Sequence, residues 1–305
     1  MMVVSDNAWW SIICTPLPGP QVRAQLEDVL YEAGCGGIWD QALGLGREGG
    51  AVENLDSTQL TAYFPAELMS SLTVLVDQLR EQQLVSGSPR IQMVADEDWL
   101  DGWRKNFTLT PLTEKTLVLP SWQELPAAET RLALKIYPGQ GFGTGTHETT
   151  RLAAIALEAQ LEEKTLLPVS VLDVGTGSGI LAILAALRGA GRVLALDIDD
   201  EALANARENC AHNQVCTLVS LENRPLAQIE EKFSLIVANI IAPVLVQLAP
   251  DLYRLLQPGG SLILSGILLE QGSHVQQVYI GLGLQVKPTA SLGEWTGFVC
   301  VKGEA

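Results

Sequence analysis

The stretch from Val169 to Asp199 constrains this chain more than any other. An apolar run of buried-strand length, Val169-Ser170-Val171-Leu172-Asp173-Val174, precedes three glycines at alternate positions, Gly175, Gly177 and Gly179. An apolar helical stretch, Ile180 to Leu187, follows and stops at Gly189 and Gly191. A second apolar strand, Val193 to Leu196, ends on Asp197, twenty-two residues after the first glycine. Strand, glycine turn, helix, strand and terminal acid form a nucleotide-binding βαβ unit. Glycine is needed where a tight strand-to-helix turn takes unusual dihedrals, and where a ligand lies against bare backbone. An acid at the end of the second strand can accept both hydrogen bonds of a ribose diol.

The spacing separates cofactors. A dinucleotide fingerprint, G-x-G-x-x-G, would place its third glycine at position 180, which is Ile180. The pattern here is D-x-G-x-G-x-G, with Asp173 two residues before the first glycine. A carboxylate so close to the turn repels a pyrophosphate and suits a cofactor with a cationic amino-acid end. S-adenosylmethionine, with an adenosine, a sulfonium, an ammonium and no phosphate, meets that description. A glycine turn in some other doubly wound protein is the plainer alternative. Asp173 before the triplet and Asp197 after it favour the cofactor.

At 305 residues the chain has room for two domains. Its net charge of −16 argues against nucleic acid or an anionic membrane as a direct partner and permits a basic one. Residues 1–98 hold 14 acids and 4 bases, so most of the negative field lies in the first third. An acidic surface that only aids solubility is the rival explanation. Five cysteines without a C-x-x-C pair suggest reduced thiols in a cytoplasmic protein, and the three histidines suggest no metal site. The N-terminus lacks the basic start of a signal peptide. The most membrane-like stretch, Leu235 to Ala249, is broken by Asn239, Pro243 and Gln247 and reads as a core strand followed by a helix.

Residues 9–94 show strand, helix, two strands, helix, strand: Trp9–Thr15, Pro20–Ala33, Gly37–Asp40, Gln59–Phe64, Met69–Gln83 and Arg90–Val94. This βαββαβ order is the ferredoxin-like arrangement, with helices on one sheet face and the other free for a partner. Asp96 to Asn106 (DEDWLDGWRKN) reads as a linker helix, and 43–58 as a loop. Short strands at Leu117–Pro120 and Leu132–Tyr137 precede a second glycine-rich stretch, Gly139 to Thr150, which runs into a helix at Thr150–Leu161. Strand and helix then alternate to Gly281, and two closing strands, Leu284–Pro288 and Thr296–Val301, have no helix between them. A parallel sheet finished by one hairpin strand is expected. Asn239 ends the strand Leu235–Ala238, where open α/β sheets bind ligands. Its amide can hold an acceptor amine on the axis of methyl transfer, a positioning task. The competing role is that of N-cap to the helix that follows.

Taken together, GFGTGTHETT, VLDVGTGSGILAI, LALDID and VANIIAP resemble the ribosomal protein L11 methyltransferase family, the PrmA type. DWLDGWRKNF and the closing GEWTGFVCVK fit it too, so the resemblance covers nearly the whole chain. FGTGTH ahead of the general methyltransferase motif is specific to this group. The family's usual proline after His147 is Glu148 here.

The resemblance implies a ferredoxin-like substrate-recognition domain at 1–94, a linker helix at 95–110 and a seven-stranded Rossmann-like methyltransferase domain at 111–305. It implies methylation of lysine side chains and the α-amine of one large-subunit ribosomal protein, bound through the N-terminal domain by a monomeric enzyme. Matched positions imply cofactor contacts at Thr150, Gly175, Asp197 and Asn239, with Asp197 at the ribose, Gly175 and Gly177 giving backbone approach, and Asp173 acting indirectly on the methionine end. Asn239 is also the residue implied at the reacting amine. The alternatives are a lysine methyltransferase of the same fold acting on another protein, and a ribosome-associated binding module that keeps the pocket as scaffold. Nicotinamide-dependent oxidoreduction is disfavoured by Ile180.

Overall fold

A computed structural model describes residues 9–35, 37–40, 59–65, 68–94, 109–137, 147–163 and 169–304. The chain divides into two compact units, Met1–Thr108 and Leu109–Ala305. The expected loop at 43–58, linker helix at 96–106 and the 139–146 part of the glycine-rich stretch lie outside the described residues.

In the first unit, β1 (Trp9–Pro16), β2 (Gly37–Asp40), β3 (Leu60–Pro65) and β4 (Val85–Val94) form a sheet in the order β2-β3-β1-β4, with every neighbouring pair antiparallel. Helices α1 (Pro20–Glu32) and α2 (Met69–Glu81) supply Leu26, Leu30, Leu72, Leu75 and Leu79 to a core shared with Ile12, Cys14, Leu60, Ala62 and Phe64. Alternation along the strands sends these side chains to one face. The other face is not open at its centre. Ser11 and Thr61, paired with Tyr63 and Ile13 in the register, are small enough to be buried beside those larger neighbours. Strand β4 starts at Val85, five residues before the expected Arg90, and runs through Pro89. It is an edge strand, where a residue lacking an N–H is tolerated.

The second unit is built on seven strands: β8 (Ser170–Val174), β9 (Arg192–Leu196), β10 (Val219–Glu222), β11 (Phe233–Asn239), β12 (Leu256–Leu268), β13 (Leu284–Pro288) and β14 (Trp295–Lys302). Their order is β10-β9-β8-β11-β12-β14-β13. All neighbours are parallel except β14, which slots antiparallel between β12 and β13. This is the expected parallel sheet with one reversed strand. Strands β8 and β11 are covered on both faces, so they read as continuous apolar runs rather than alternating ones. Among the described residues, five α-helices connect or flank the strands: α3 (Glu148–Glu163), α4 (Ile180–Leu187), α5 (Asp200–His212), α6 (Ala242–Leu255) and α7 (Leu269–Gly281).

A smaller sheet of β5 (Thr110–Pro111), β6 (Thr116–Pro120) and β7 (Leu132–Ile136) is fastened to this unit by polar side chains. Arg188, at the C-cap of α4, donates to Glu158 of α3 and to Thr116 and the Lys115 carbonyl. Asn209 of α5 accepts from Tyr137 N–H at 2.6 Å, and Asn205 donates to the Tyr137 carbonyl at 3.0 Å. Among the described residues no helix is long and apolar enough to cross a membrane.

Candidate active site

The site lies at the carboxyl ends of β8, β9, β11 and β12 and is built in two parts. The first is the turn from β8 into α4. Gly175, Gly177 and Gly179 have φ of +72°, +53° and +82°, a region that residues with a Cβ seldom enter. Gly175 and Thr176 both donate their N–H to the Leu196 carbonyl at 2.9 Å, which folds the turn back on the end of β9. Asp197, the residue after β9, completes the link. Its Oδ2 accepts from Gly177 N–H at 2.8 Å and its Oδ1 from Asp199 N–H at 3.1 Å. The carboxylate is held fixed, and each oxygen keeps a second lone pair. Asp199 caps α5 by accepting from Glu201 N–H at 2.9 Å, as its position before the helix suggests. Ile198, between these two acids, is 97% exposed; nothing in the sequence pattern singled it out.

Asp173 is wholly buried beneath the turn. Its Oδ2 accepts from Thr176 Oγ1 at 2.7 Å, while Oδ1 is buried with no hydrogen-bond partner. Burial pushes its pKa up from 3.8 to about 7; the Thr176 hydrogen bond pulls it down, the nearby Asp197 charge adds to the rise, and the Ala182 backbone N–H, which makes no hydrogen bond to Oδ1, lowers it slightly.

The second part comes from segments far apart in sequence. Asn239, the last residue of β11, donates from Nδ2 to Thr150 Oγ1 at 3.4 Å, and its Oδ1 is buried without a partner. Strand β11 runs beside β8, with Ala238 opposite Val174, so Asn239 does stand next to the glycine turn. It is not the helix cap. Helix α6 is capped at Ile241, with no side-chain cap bond, and has a proline in its first turn. Thr150 is fully buried in the first turn of α3. That helix begins at Glu148, two residues before the expected Thr150, because His147 Nδ1 accepts from Thr149 N–H at 3.2 Å and acts as the cap. The His147 ring stands edge-on to Trp295 with centroids 5.2 Å apart. Ser265 of β12, paired with Asn239 in the register, donates to the Thr149 carbonyl at 2.7 Å; the sequence pattern gave no reason to select it.

The structure thus brings Asp173, Gly175, Gly177 and Asp197 into one cluster, and Thr150 and Asn239 into another that meets it through Ile240. A Cβ on Gly175 would overlap Ile240 Cγ2. These residues fit S-adenosylmethionine. A buried, half-partnered carboxylate and a second acid at the turn favour positive charge and repel phosphate, and the glycine backbone leaves room for close approach. A seven-stranded sheet in this order, with this turn and these acids, defines an S-adenosylmethionine-dependent class I methyltransferase.

Comparison with known proteins narrows the class. The family profile described as "Ribosomal protein L11 methyltransferase (PrmA)" matches residues 10–303. The ribosomal protein L11 methyltransferase of Geobacter metallireducens is 38% identical over 98% of this chain and 100% of its own length. That of Pelobacter propionicus is 42% identical over 73% and 74%. The crystal structure of the ribosomal protein L11 methylase from Lactobacillus delbrueckii subsp. bulgaricus superposes with a TM-score of 0.59 and 35% identity, over 65% of this chain and 100% of that one. The chain belongs to the ribosomal protein L11 methyltransferase (PrmA) family.

Proposed function

We propose that this protein methylates amino groups, lysine side chains and the α-amine, of ribosomal protein L11. The observation that carries the amine chemistry is the Asn239 carbonyl oxygen, buried and unpartnered at the end of β11 beside the glycine turn. An amide oxygen there accepts an N–H from a neutral amine and holds its lone pair on the transfer axis. S-adenosylmethionine supplies an already activated methyl group, so the chain needs positioning more than acid–base strength. The substrate assignment is supported by relatives that carry the L11 methyltransferase name across essentially the full length.

In this reading Asp197 holds the ribose hydroxyls through its free lone pairs, and Gly175 and Gly177 expose backbone to the cofactor. Exposed Ile198 offers an apolar surface for the adenine. Asp173 has no surface of its own, so it acts through its field, favouring the cationic methionine end. Thr150 faces the same region from α3. The first unit is the substrate-recognition domain, read as ferredoxin-like from its βαββαβ order and antiparallel β2-β3-β1-β4 sheet. The boundaries 1–94, 95–110 and 111–305 belong to the same proposal, as do a single-copy enzyme, a cytoplasmic location and no direct contact with nucleic acid.

Mass spectrometry of L11 incubated with the enzyme and cofactor tests the proposal. Methyl increments located on lysines and the N-terminal amine are expected. Methylation at carboxyl, hydroxyl or guanidino groups would discard the amine chemistry, and methylation only of some other protein would discard the substrate.

A further inference from the structure

Asn239 is useful as an amine acceptor only if its oxygen, and not its NH2, faces the reacting centre. The two ends of the amide have the same shape, so packing alone does not choose between them. One contact distinguishes them in this structure, and two more hold its partners in place.

The first is the amide's own bond. Nδ2 donates to Thr150 Oγ1 at 3.4 Å with the hydroxyl acting as acceptor, and this leaves Oδ1 as the unpartnered end. The second fixes Thr150. Asn239 and Ser265 are register partners on adjacent parallel strands and so point to the same side, and both reach the first turn of α3. Ser265 Oγ, buried, donates to the carbonyl of Thr149, the residue before Thr150. The third fixes the backbone after Asn239. Ile240 is pressed between two glycines of positive φ, Gly175 at +72° and Gly266 at +82°. A Cβ on Gly266 would sit 2.5 Å from the Ile240 carbonyl oxygen, and one on Gly175 would overlap the Ile240 side chain. Neither the β11 end nor the α3 turn can shift without breaking one of these contacts.

We infer that Ser265 is a positioning residue for methyl transfer: by pinning the first turn of α3 it sets Thr150, and through Thr150 it orients the Asn239 amide with its oxygen towards the acceptor amine. This rests on the proposed role of Asn239. It also gives Thr150, fully buried, a role towards Asn239 beside the cofactor contact expected from the sequence.

A double-mutant cycle on the full-length enzyme, with L11 as acceptor, reads this directly. Ser265→Ala is expected to lower kcat about 10- to 100-fold, the scale of a misplaced reacting group. Cofactor Kd and the KM for L11 stay within about threefold, as expected when only the reacting geometry is disturbed. Ser265→Thr, which keeps the hydroxyl, restores most of the rate. In an Asn239→Ala background, Ser265→Ala should cost nothing further. An equal loss in both backgrounds, or a wild-type kcat for Ser265→Ala beside a crippled Asn239→Ala, overturns the inference alone. A wild-type kcat for Asn239→Ala overturns the parent reading and this inference with it.

A second readout needs no turnover. In 15N-labelled protein, the Asn239 side-chain NH2 is identified by its loss in Asn239→Ala. Its hydrogen exchange should be slow in the wild type and about tenfold faster or more in Ser265→Ala and Thr150→Val, because the amide is then free to turn. Unchanged exchange in both variants contradicts the mechanism.

Discussion

The two halves of the site are built in opposite ways. The turn half, Asp173 to Asp197, is one unbroken βαβ segment whose polar links are local: Thr176 to Asp173, and Gly177 to Asp197. The amide half joins Asn239 to Thr150 across 89 positions and Ser265 to Thr149 across 116. The first half holds a buried carboxylate whose charge is poorly satisfied, so it is tuned electrostatically. The second is almost all neutral hydrogen bonds and close backbone approach, so it is tuned geometrically. A cofactor brings its own charge and can settle into a field. A reacting group has to be placed to within about an ångström. The difference between the halves matches those two demands.

Substitutions in each half should therefore fail in different observables. The largest expected effect is on the amide side: Asn239→Ala should lower kcat about 10³-fold and weaken cofactor Kd far less, even though the resemblance also implies a cofactor contact there, checked by steady-state kinetics with calorimetry. Loss confined to cofactor affinity would merge the two halves into one.

Next in size is Asp173→Asn. In the cofactor-free protein the Asp173 pKa of about 7 lies above its ordinary 3.8. The folded state then keeps a proton that the unfolded chain releases between those values. The stability this group contributes is full below about pH 4 and is lost as pH rises through about 7. Asn mimics the protonated acid, so the variant should nearly match the wild type at pH 4 and exceed it by about 4 kcal/mol at pH 8. Denaturant melts at the two pH values check this, and an equal difference at both would mean that Asp173 is not the titrating group. The same variant should bind S-adenosylmethionine more weakly, since the buried negative charge is gone.

Asp197→Ala should weaken cofactor binding about 10- to 50-fold without unfolding the protein, the scale of two lost charge-assisted hydrogen bonds less what solvent restores. Unchanged affinity would remove Asp197 from the ribose. The smallest effect belongs to the acidic first third of the chain. If L11 meets the acidic field with basic residues, binding of the full-length enzyme to it should weaken about threefold between 50 and 200 mM KCl, as the screening length shortens. Salt-independent binding would discard the electrostatic part of recognition.

What the sequence revealed follows the same division. The turn half was legible because each of its parts is local: three glycines that need positive φ, an apolar helix, and an acid at a strand end. Asn239 was legible as a strand terminus and Thr150 through the family resemblance, but the contact that holds Thr150 was not. Thr149 and Ser265 meet only through the sheet order, and a serine inside an apolar strand carries no mark of its partner. Pattern reading also stops at residues that break elements on average but not where they stand. Pro89 hid the start of β4, yet it lies on an edge strand, where the pairing with β1 shifts register between Arg90 and Ser86. Pro258-Gly259-Gly260 hid the start of β12, which begins at Leu256 with a register shift against β11. His147 hid the start of α3, because a histidine cap lies outside the usual capping set.

The most direct test of the central claim is transfer of label from methyl-labelled S-adenosylmethionine to the full set of ribosomal proteins of the same cell, offered together. Label confined to L11, on its amines, and abolished by Asn239→Ala is the predicted result. Label on a different protein, or undiminished label on L11 with Asn239→Ala, would contradict it.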